Sequence, residues 1–178
     1  MPQLEERYVM KEGTIKFVTP SPNVVHPDGP SLNVDLCISM PEGHPDRSAI
    51  EDIIERIVAS EPKTSDSRFK RVPWASPIRA PRPESERYIA ERKPDMTDYL
   101  KTRLSRTNCP MDVRGDMTDV RPAGIDNLWP GTRVKLSLNF VGHWIQVPRE
   151  KSETFIVGAY VLGIRSFGDV PPRLKDLV

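Results

Sequence analysis

The stretch that decides the fold is LWPGTRVKLSLNF, residues 128–140. The Trp-Pro-Gly triplet at 129–131 is typical of a turn, because proline fixes one backbone angle and glycine tolerates positive ones. From Val134 to Phe140 apolar residues occupy every second position, which is the period of a strand with one buried face. The apolar face holds Val134, Leu136, Leu138 and Phe140, and the opposite face holds Arg133, Lys135, Ser137 and Asn139. The sequence therefore predicts a turn and a long strand whose outer face is polar and basic.

Other segments repeat the strand pattern. Residues 13–18, 32–39 and 99–104 are predicted strands, the last with a second basic outer face. Residues 155–165, which follow a polar break after Phe140, are apolar on both faces, as is typical of a central strand. Gly158 and Gly163 would let this strand bend, which closing a small barrel requires.

The period changes to that of a helix between Asp46 and Ser60. Isoleucine or valine stands at positions 50, 53, 54, 57 and 58, the spacing of one helix face. Pro45 and Asp46 suit the start of a helix, and Pro62 suits its end. We therefore expect a helix whose apolar stripe covers an open end or edge of the sheet.

Composition favours a β-rich single domain over residues 1–178. The 178 residues suffice for one domain with a buried core. Proline accounts for 19 of them, about twice the usual share of ~5%, and this favours short strands and ordered loops over helices. Residues 61–98 are rich in proline and arginine and lack a sustained period, so we predict a long basic loop there.

Charge is segregated along the chain although its net value is only +1. Residues 1–67 carry 6 Lys or Arg against 12 Asp or Glu, residues 68–106 carry 11 against 5, and residues 107–178 carry 9 against 8. A basic block attracts phosphate groups, but it is about as often a solvated face balanced by acidic parts. The charge pattern leaves both interpretations open.

The sequence lacks signals for secretion, membranes and metals. No charged and apolar leader begins at Met1, no apolar run approaches the ~20 residues that cross a bilayer, and two cysteines cannot build a disulfide framework. We expect an intracellular protein with reduced thiols that does not enter a membrane. No paired metal-ligand spacing joins its histidines and cysteines, so no metal or cofactor is predicted. The residues considered are His26, His44, His143, Cys37 and Cys109.

No motif of a known catalytic centre is present, and the chain is predicted not to be an enzyme. Asp112, Asp116 and Asp119 could hold a divalent cation in a nuclease. Acidic residues beside a glycine such as Gly115 more often shape a turn. A metal-dependent nuclease stays as an alternative.

Basic and aromatic residues on predicted outer faces and loops remain. They suit single-stranded nucleic acid, because exposed bases stack on aromatic rings at about 1–3 kcal/mol each while Lys and Arg follow the phosphates. The predicted helix carries acidic residues on its polar side and would be repelled from a duplex groove. The candidate DNA-binding residues are Arg71, Trp74, Arg79, Tyr88, Tyr99, Lys101, Arg103, Arg133, Lys135 and Trp144.

The aromatic residues also have a packing interpretation. For Trp74 and Trp144 the two roles are equally open, whereas Trp129 and Tyr160 are predicted to pack against the core or a loop. The expected mechanism is electrostatic capture of phosphates by the arginines and lysines of the candidate set, with stacking of bases on Trp74, Tyr99 and Trp144.

The order of segments carries further information. It runs through residues 13–17, an alternating strand ending at 35–39, a helix, the basic insert, and residues 99–103, 111–116 and 128–134. The sharpest piece is the turn at 129–131 feeding an alternating strand, followed by a last strand with Gly158 and Val161. This order resembles the single-stranded-DNA-binding proteins of tailed bacteriophages over most of the chain. The resemblance implies an OB-like barrel capped by one helix, DNA in a groove over the sheet, and a role in DNA replication, recombination and repair.

The resemblance also implies partners and a location. It implies single-stranded DNA and phage replication or recombination proteins as partners, in the cytoplasm of the infected bacterial host, and leaves a homodimer open. Many members end in an acidic tail that contacts replication partners, whereas residues 171–178, PPRLKDLV, contain one acidic side chain, Asp176. Tail-mediated recruitment is therefore in doubt for this chain, and a β-rich phage structural or assembly protein stays as an alternative.

Overall fold

The computed structural model of the protein describes six stretches of the chain. These are residues 5–19, 33–61, 70–81, 96–105, 111–112 and 130–166. Within them lie nine β-strands and an α-helix, α1 (Arg47–Ala59). The strands are β1 (Glu5–Val9), β2 (Gly13–Thr19), β3 (Asn33–Ser39), β4 (Lys70–Ala75), β5 (Ile78–Arg79), β6 (Tyr99–Ser105), β7 (Met111–Asp112), β8 (Arg133–Val147) and β9 (Ser152–Ser166).

Five of these strands close into a barrel. β2 pairs with β3, β3 with β6, and β2 with β8, all antiparallel, while β6 pairs with β9 in parallel. β8 and β9 have 15 residues each and pair antiparallel along nearly their whole length, which completes the ring. A small five-stranded closed sheet of this kind is an OB-like barrel. The predicted fold class, mainly β with a helix and an OB-like barrel, is confirmed.

Further strands extend the barrel at its margins. β1 pairs with β8, β5 pairs with β6, and β4 and β7 both pair in parallel with β9. One edge of β9 therefore contacts β4, β6 and β7, while its other edge contacts β8. This confirms the central position predicted for the last strand from its two apolar faces.

The inner faces of the barrel strands form one hydrophobic core with α1. The four apolar residues predicted for the inner face of β8 are all 0% exposed. Burying an aliphatic or phenylalanine side chain of this size contributes about 1.5–3 kcal/mol. The buried strand residues include Ile15, Leu36, Ile38, Leu100, Leu104, Phe155, Val157 and Ile164.

The helix lies close to β8 because a glycine faces it. α1 buries Ile50, Ile53, Ile54 and Ile57. A Cβ added at Gly142 of β8 would lie 2.5 Å from Cγ2 of Ile57 and 2.6 Å from Cζ of Phe155. The helix predicted between residues 46 and 60 is confirmed, and its isoleucine stripe packs on β8, β1 and β9.

Asp46, directly before α1, ties the turn between β1 and β2 to the helix. Its fully buried carboxylate accepts hydrogen bonds from the hydroxyl of Tyr8 at 2.7 Å and from the backbone N–H groups of Lys11 at 2.9 Å and Glu12 at 3.2 Å. Burial, together with the hydrogen bond to Asp46 and its charge, raises the pKa of Tyr8 to about 12. Asp46 would suit a helix cap, but its carboxylate binds the turn between β1 and β2 and makes no capping hydrogen bond to α1.

The segment at 61–98 differs from the long loop predicted for it. It contains β4 and β5, which pair with β9 and β6. β4 was not predicted because it contains Pro73, and proline in a strand is confined to edges and irregular positions. β4 is an edge strand, and its register on β9 shifts between Val72 and Ala75, around this proline. Residues 62–69 and 82–95 of the predicted loop lie outside the described residues.

Other boundaries also moved. β8 continues to Val147, so the polar break before the last strand shrinks to the turn at 148–151. β1 was not predicted, because its charged sequence EERYV lacks a clear apolar face. β7 was not predicted either; it ends at Asp112, and the acidic turn expected around Gly115 lies outside the described residues. The turn at 130–131 is confirmed: Gly131 has φ 92°, and its N–H donates to the carbonyl oxygen of Ile15 at 2.7 Å.

Candidate nucleic-acid interface

A groove of about 250 Å³ opens on the outer surface of the barrel above β6 and β9. β3 and β5 border it on one side, and the second half of β8 borders it on the other. Its polar and basic lining consists of Asp35, Arg79, Lys101, Arg103 and His143. Its aromatic and apolar lining includes Pro77, Ile145, Ile156, Gly158 and Tyr160.

The basic side of the groove follows from the alternation of β6. Leu100 and Leu104 are buried in the core, as predicted. Lys101 and Arg103 therefore point outward, with side chains 34% and 53% exposed. Arg79 on β5 adds a third, exposed cation, because β5 pairs with the start of β6. The structure brings together three of the predicted DNA-binding residues.

A carboxylate on β3 sits between two of these cations. Asp35 lies directly opposite Arg103 in the pairing of β3 with β6. Its Oδ2 is 3.5 Å from Nζ of Lys101, and its Oδ1 is 3.4 Å from Nε of Arg103. The side chain of Asp35 is 22% exposed, so solvent still reaches these ion pairs and each contributes little to stability.

Tyr160 supplies the aromatic surface of the groove, which corrects the prediction that it packs in the core or against a loop. It lies next to Arg103 in the parallel pairing of β6 with β9 and is half-buried. Its ring extends over Gly158, where a Cβ would lie 2.9 Å from Cε2 and 3.1 Å from Oη of the tyrosine. Because glycine has no side chain, the ring can lie against the strand.

Apolar side chains continue this surface toward the turn between β8 and β9. Ile145 is 41% exposed and lines the groove with the half-buried Ile156. These apolar side chains extend the surface on which the bases of a single strand can rest. His143 lies between this apolar end and the ring, on the same outer face of β8.

Cys37 lies beneath the basic side of the groove. It pairs with Lys101 across β3 and β6 and is only 1% exposed. Burial raises the pKa of the Cys37 thiol to about 12, and the neighbouring carboxylate of Asp35 acts in the same direction. The thiol therefore stays protonated and packs as a small apolar group.

Tyr99 shares the outer face of β6 but does not line the groove. Its ring contacts that of Phe17 edge to face, with ring centroids 5.1 Å apart. The ammonium group of Lys16 lies 5.5 Å from the centroid of Tyr99 and donates to the carbonyl oxygen of Thr97 at 2.8 Å. Tyr99 is thus engaged by β2, and its stacking on a base stays a prediction.

Arg133 and Lys135 face outward as predicted but lie away from the groove. Arg133 borders a second recess of about 240 Å³, together with Glu12 and His44. Lys135 is half-buried and pairs with the far end of β9 at Arg165. The structure therefore does not bring the basic pair of β8 together with that of β6.

Trp144 lies on the inner face of β8, contrary to the outward position predicted for it. It is partly buried against the core, and its ring centroid is 5.5 Å from that of Phe155. Two residues earlier Gly142 faces α1, so the alternation of β8 turns Trp144 inward as well. Packing, one of its two open interpretations, accounts for this tryptophan.

Three predicted residues cannot be placed in the groove by their side chains. The backbones of Arg71 and Trp74 belong to β4, which runs along the part of β9 that carries Ile156. Their side chains and the whole of Tyr88 lie outside the described residues. Their contacts with DNA stay predictions.

The nuclease alternative needs acidic side chains that hold a metal ion, and the part of the chain that the structure describes does not test it. No group of three metal-ligating side chains lies close enough there to hold a metal ion. His44 instead accepts the backbone N–H of Asp46 at 3.1 Å. The side chain of Asp112 and all of Asp116 and Asp119 lie outside the described residues.

No helix among the described residues has both the length and the apolar character that a membrane span requires.

Several groove residues were missed by sequence reasoning. Asp35 was visible as an outward position of an alternating strand, but its contact with Arg103 depends on a strand register that the sequence does not specify. Tyr160 and Ile156 belong to a strand that is apolar on both faces, so no pattern indicated which face was outside. Ile145 lies in the part of β8 that was predicted to be a polar break.

Comparison with known proteins gives a likeness in fold. No protein-family model and no curated sequence matches the chain. The chain is similar to a solved structure of the single-stranded DNA-binding protein from bacteriophage Enc34 in complex with ssDNA, with TM-score 0.53 and 12% identity, covering 93% of this chain and 88% of that one. A C-terminal truncation of the same phage protein gives TM-score 0.51 and 11% identity, covering 94% and 88%. In fold, the chain therefore resembles a phage single-stranded-DNA-binding protein, as the order of its segments predicted.

Proposed function

We propose that this protein binds single-stranded DNA, without strong sequence preference, in the groove between β6 and β9, and that it catalyses no reaction. The observation that carries this proposal is the composition of the groove. Arg79, Lys101 and Arg103 line one side of an open groove, and the ring of Tyr160 lies beside Arg103. A single strand requires both: cations for its phosphates and an aromatic ring on which a base can stack.

The three cations and the ring have separate tasks in this mechanism. Arg79, Lys101 and Arg103 hold phosphates of the strand, while one base rests on Tyr160 and another on the apolar end formed by Ile145. Stacking accepts any base, because every base has a π face, so binding is tolerant of sequence. A duplex would hide its base faces and gain only the electrostatic part.

The fold supports the same location. OB-like barrels bind oligonucleotides on the face of their second and third strands and on neighbouring loops. Those barrel strands are β3 and β6 here, and they carry Asp35, Lys101 and Arg103. The phage protein of similar fold has been solved in complex with ssDNA. The proposal includes a role for this protein in phage DNA replication, recombination and repair, and a location in the cytoplasm of the host.

The experiment that tests the proposal is a fluorescence-anisotropy titration of a labelled thymidine oligonucleotide at several salt concentrations. Wild-type affinity should fall linearly in a log–log plot, with a slope of about −0.7 per phosphate contacted. Changing both Lys101 and Arg103 to alanine should weaken binding roughly tenfold or more at low salt and flatten the slope by up to about 1.4.

A matched double variant separates the groove from the rest of the surface. Changing Arg133 and Lys135 to alanine removes the same charge from the outer face of β8 and should leave affinity within about twofold, because neither lines the groove. Equal weakening by both double variants would move the interface off the groove. No wild-type binding at low salt would refute the proposed function, and magnesium-dependent degradation of the oligonucleotide would favour the nuclease alternative.

A further inference from the structure

The groove contains its own anion. Asp35 is among the residues lining it, and each of its carboxylate oxygens faces one of the two cations of β6. The distances to Lys101 and Arg103, 3.5 and 3.4 Å, are those of loose ion pairs with room for exchange. Both cations keep much of their surface in solvent, so an incoming phosphate can reach them.

A phosphate that contacts Nζ of Lys101 or Nε of Arg103 from the side facing Asp35 must take the place of this carboxylate. We propose that Asp35 is an internal counter-ion that competes with DNA phosphates for Lys101 and Arg103 and so limits the affinity of the groove. This inference rests on the proposed function and adds to it a residue that sets binding strength. Once a phosphate has displaced the carboxylate, the two negative charges lie close together and repel each other.

The sign of the effect distinguishes this role from simple positioning. If Asp35 only held the cations in place, removing its charge would weaken binding. As a competitor, its removal strengthens binding. Asp35→Asn should lower the Kd roughly tenfold at low salt, the order expected for one unit charge about 5 Å from a phosphate at a solvated surface.

The salt dependence should change as well. When DNA displaces Asp35 from its partners, the freed carboxylate recruits a cation from solution, and this offsets part of the counter-ion release from the DNA. Asp35→Asn removes that uptake. The log–log slope of the variant should therefore be steeper than that of the wild type by up to about one.

The test is the anisotropy titration with wild type, Asp35→Asn, and Asp52→Asn as the matched control. Asp52 is exposed on α1 and does not line the groove, so its substitution makes the same change in net charge elsewhere. The control should change the Kd by less than about twofold. Repeating Asp35→Asn in the background with Lys101 and Arg103 changed to alanine should abolish most of the gain.

Each outcome decides the inference. Tighter binding and a steeper slope for Asp35→Asn alone support it. Unchanged or weaker binding overturns it, and so does a change seen only with oligo-dC, because the carboxylate would then be accepting a hydrogen bond from the amino group of cytosine. Wild-type binding with no effect of the substitution overturns the inference and leaves the proposed function standing. Absence of binding by both proteins overturns both.

Discussion

Changing Gly158 to alanine should weaken DNA binding by moving the ring of Tyr160. The added Cβ would lie 2.9 Å from Cε2 and 3.1 Å from Oη of the tyrosine. Ordinary contacts between carbon atoms are about 3.5–4.0 Å. The ring must therefore shift by roughly 0.5–1 Å, and because only the end of a side chain stands in the way, the fold should persist.

The size of the effect follows from what the ring contributes. Base stacking on an aromatic side chain is worth about 1–3 kcal/mol by alanine substitution, so Tyr160→Ala should raise the Kd about 5- to 150-fold. Gly158→Ala keeps the ring but displaces it from the strand. We expect it to cost about 1 kcal/mol, or about fivefold in Kd.

The assay is a double-mutant cycle by anisotropy titration with Gly158→Ala, Tyr160→Ala and the double variant. In the Tyr160→Ala background there is no ring left to move, so the cost of Gly158→Ala should vanish. Gly43→Ala is the matched control, because a Cβ there meets nothing within 4 Å. Thermal melts of all variants check that the fold is intact.

An equal cost of Gly158→Ala with and without the ring would refute this reasoning, since the alanine would then act on the backbone or on the groove directly. Unchanged affinity in both single variants, with intact folds, would remove Tyr160 from the interface. In that case the groove would bind through its cations alone.

Three further predictions concern stability. Gly142→Ala should destabilise the fold by about 1–3 kcal/mol in a urea or thermal unfolding experiment, because its Cβ would overlap Ile57 of α1; a change below about 0.5 kcal/mol would contradict that packing. Asp46→Ala leaves two backbone N–H groups of the β1–β2 turn without their acceptor and should cost about 2–5 kcal/mol, measured in the same way, while a near-neutral result would contradict the network. The raised pKa of Cys37 means that its stabilising contribution is complete below pH 9.0 and is lost as the pH rises toward about 12. Between about pH 9 and about pH 10, before the similar loss from Tyr8 sets in above its ordinary pKa of 10.0, wild-type stability should fall by up to about 1.4 kcal/mol per pH unit, and Cys37→Ala should remove that slope.

Local patterns in the sequence predicted most of the barrel. The alternation from Val134 to Phe140 needed only local information, because each residue's face follows from its position in the strand. β4 was not predicted because Pro73 interrupts the sequence pattern of a strand. The proline is tolerated only because β4 lies at an edge of the sheet, and this position is set by the tertiary structure. β1 was not predicted because an edge strand with few buried residues lacks the apolar face by which strands are recognised in a sequence.

The groove proposed to bind DNA was predicted in part, because its residues meet across strands far apart in the chain. Lys101 and Arg103 were identified from one strand, and their outward direction is confirmed. Asp35 and Tyr160 reach them only through the registers of β3 and β9 on β6. No sequence pattern specifies such registers. For the same reason Arg133 and Lys135 were placed in one candidate set with Lys101 and Arg103, although in the structure they lie away from the groove.

The central position of β9 has a consequence for how the chain folds. Its partners β4, β6, β7 and β8 begin at residues spread from 70 to 133, so the ring cannot close until residues 152–166 have been synthesised. Domains dominated by such distant strand pairings typically fold in milliseconds to seconds rather than microseconds. Tyr160 lies on this last strand. The groove should therefore form late, together with barrel closure, so that a partly synthesised chain does not yet present the proposed binding surface.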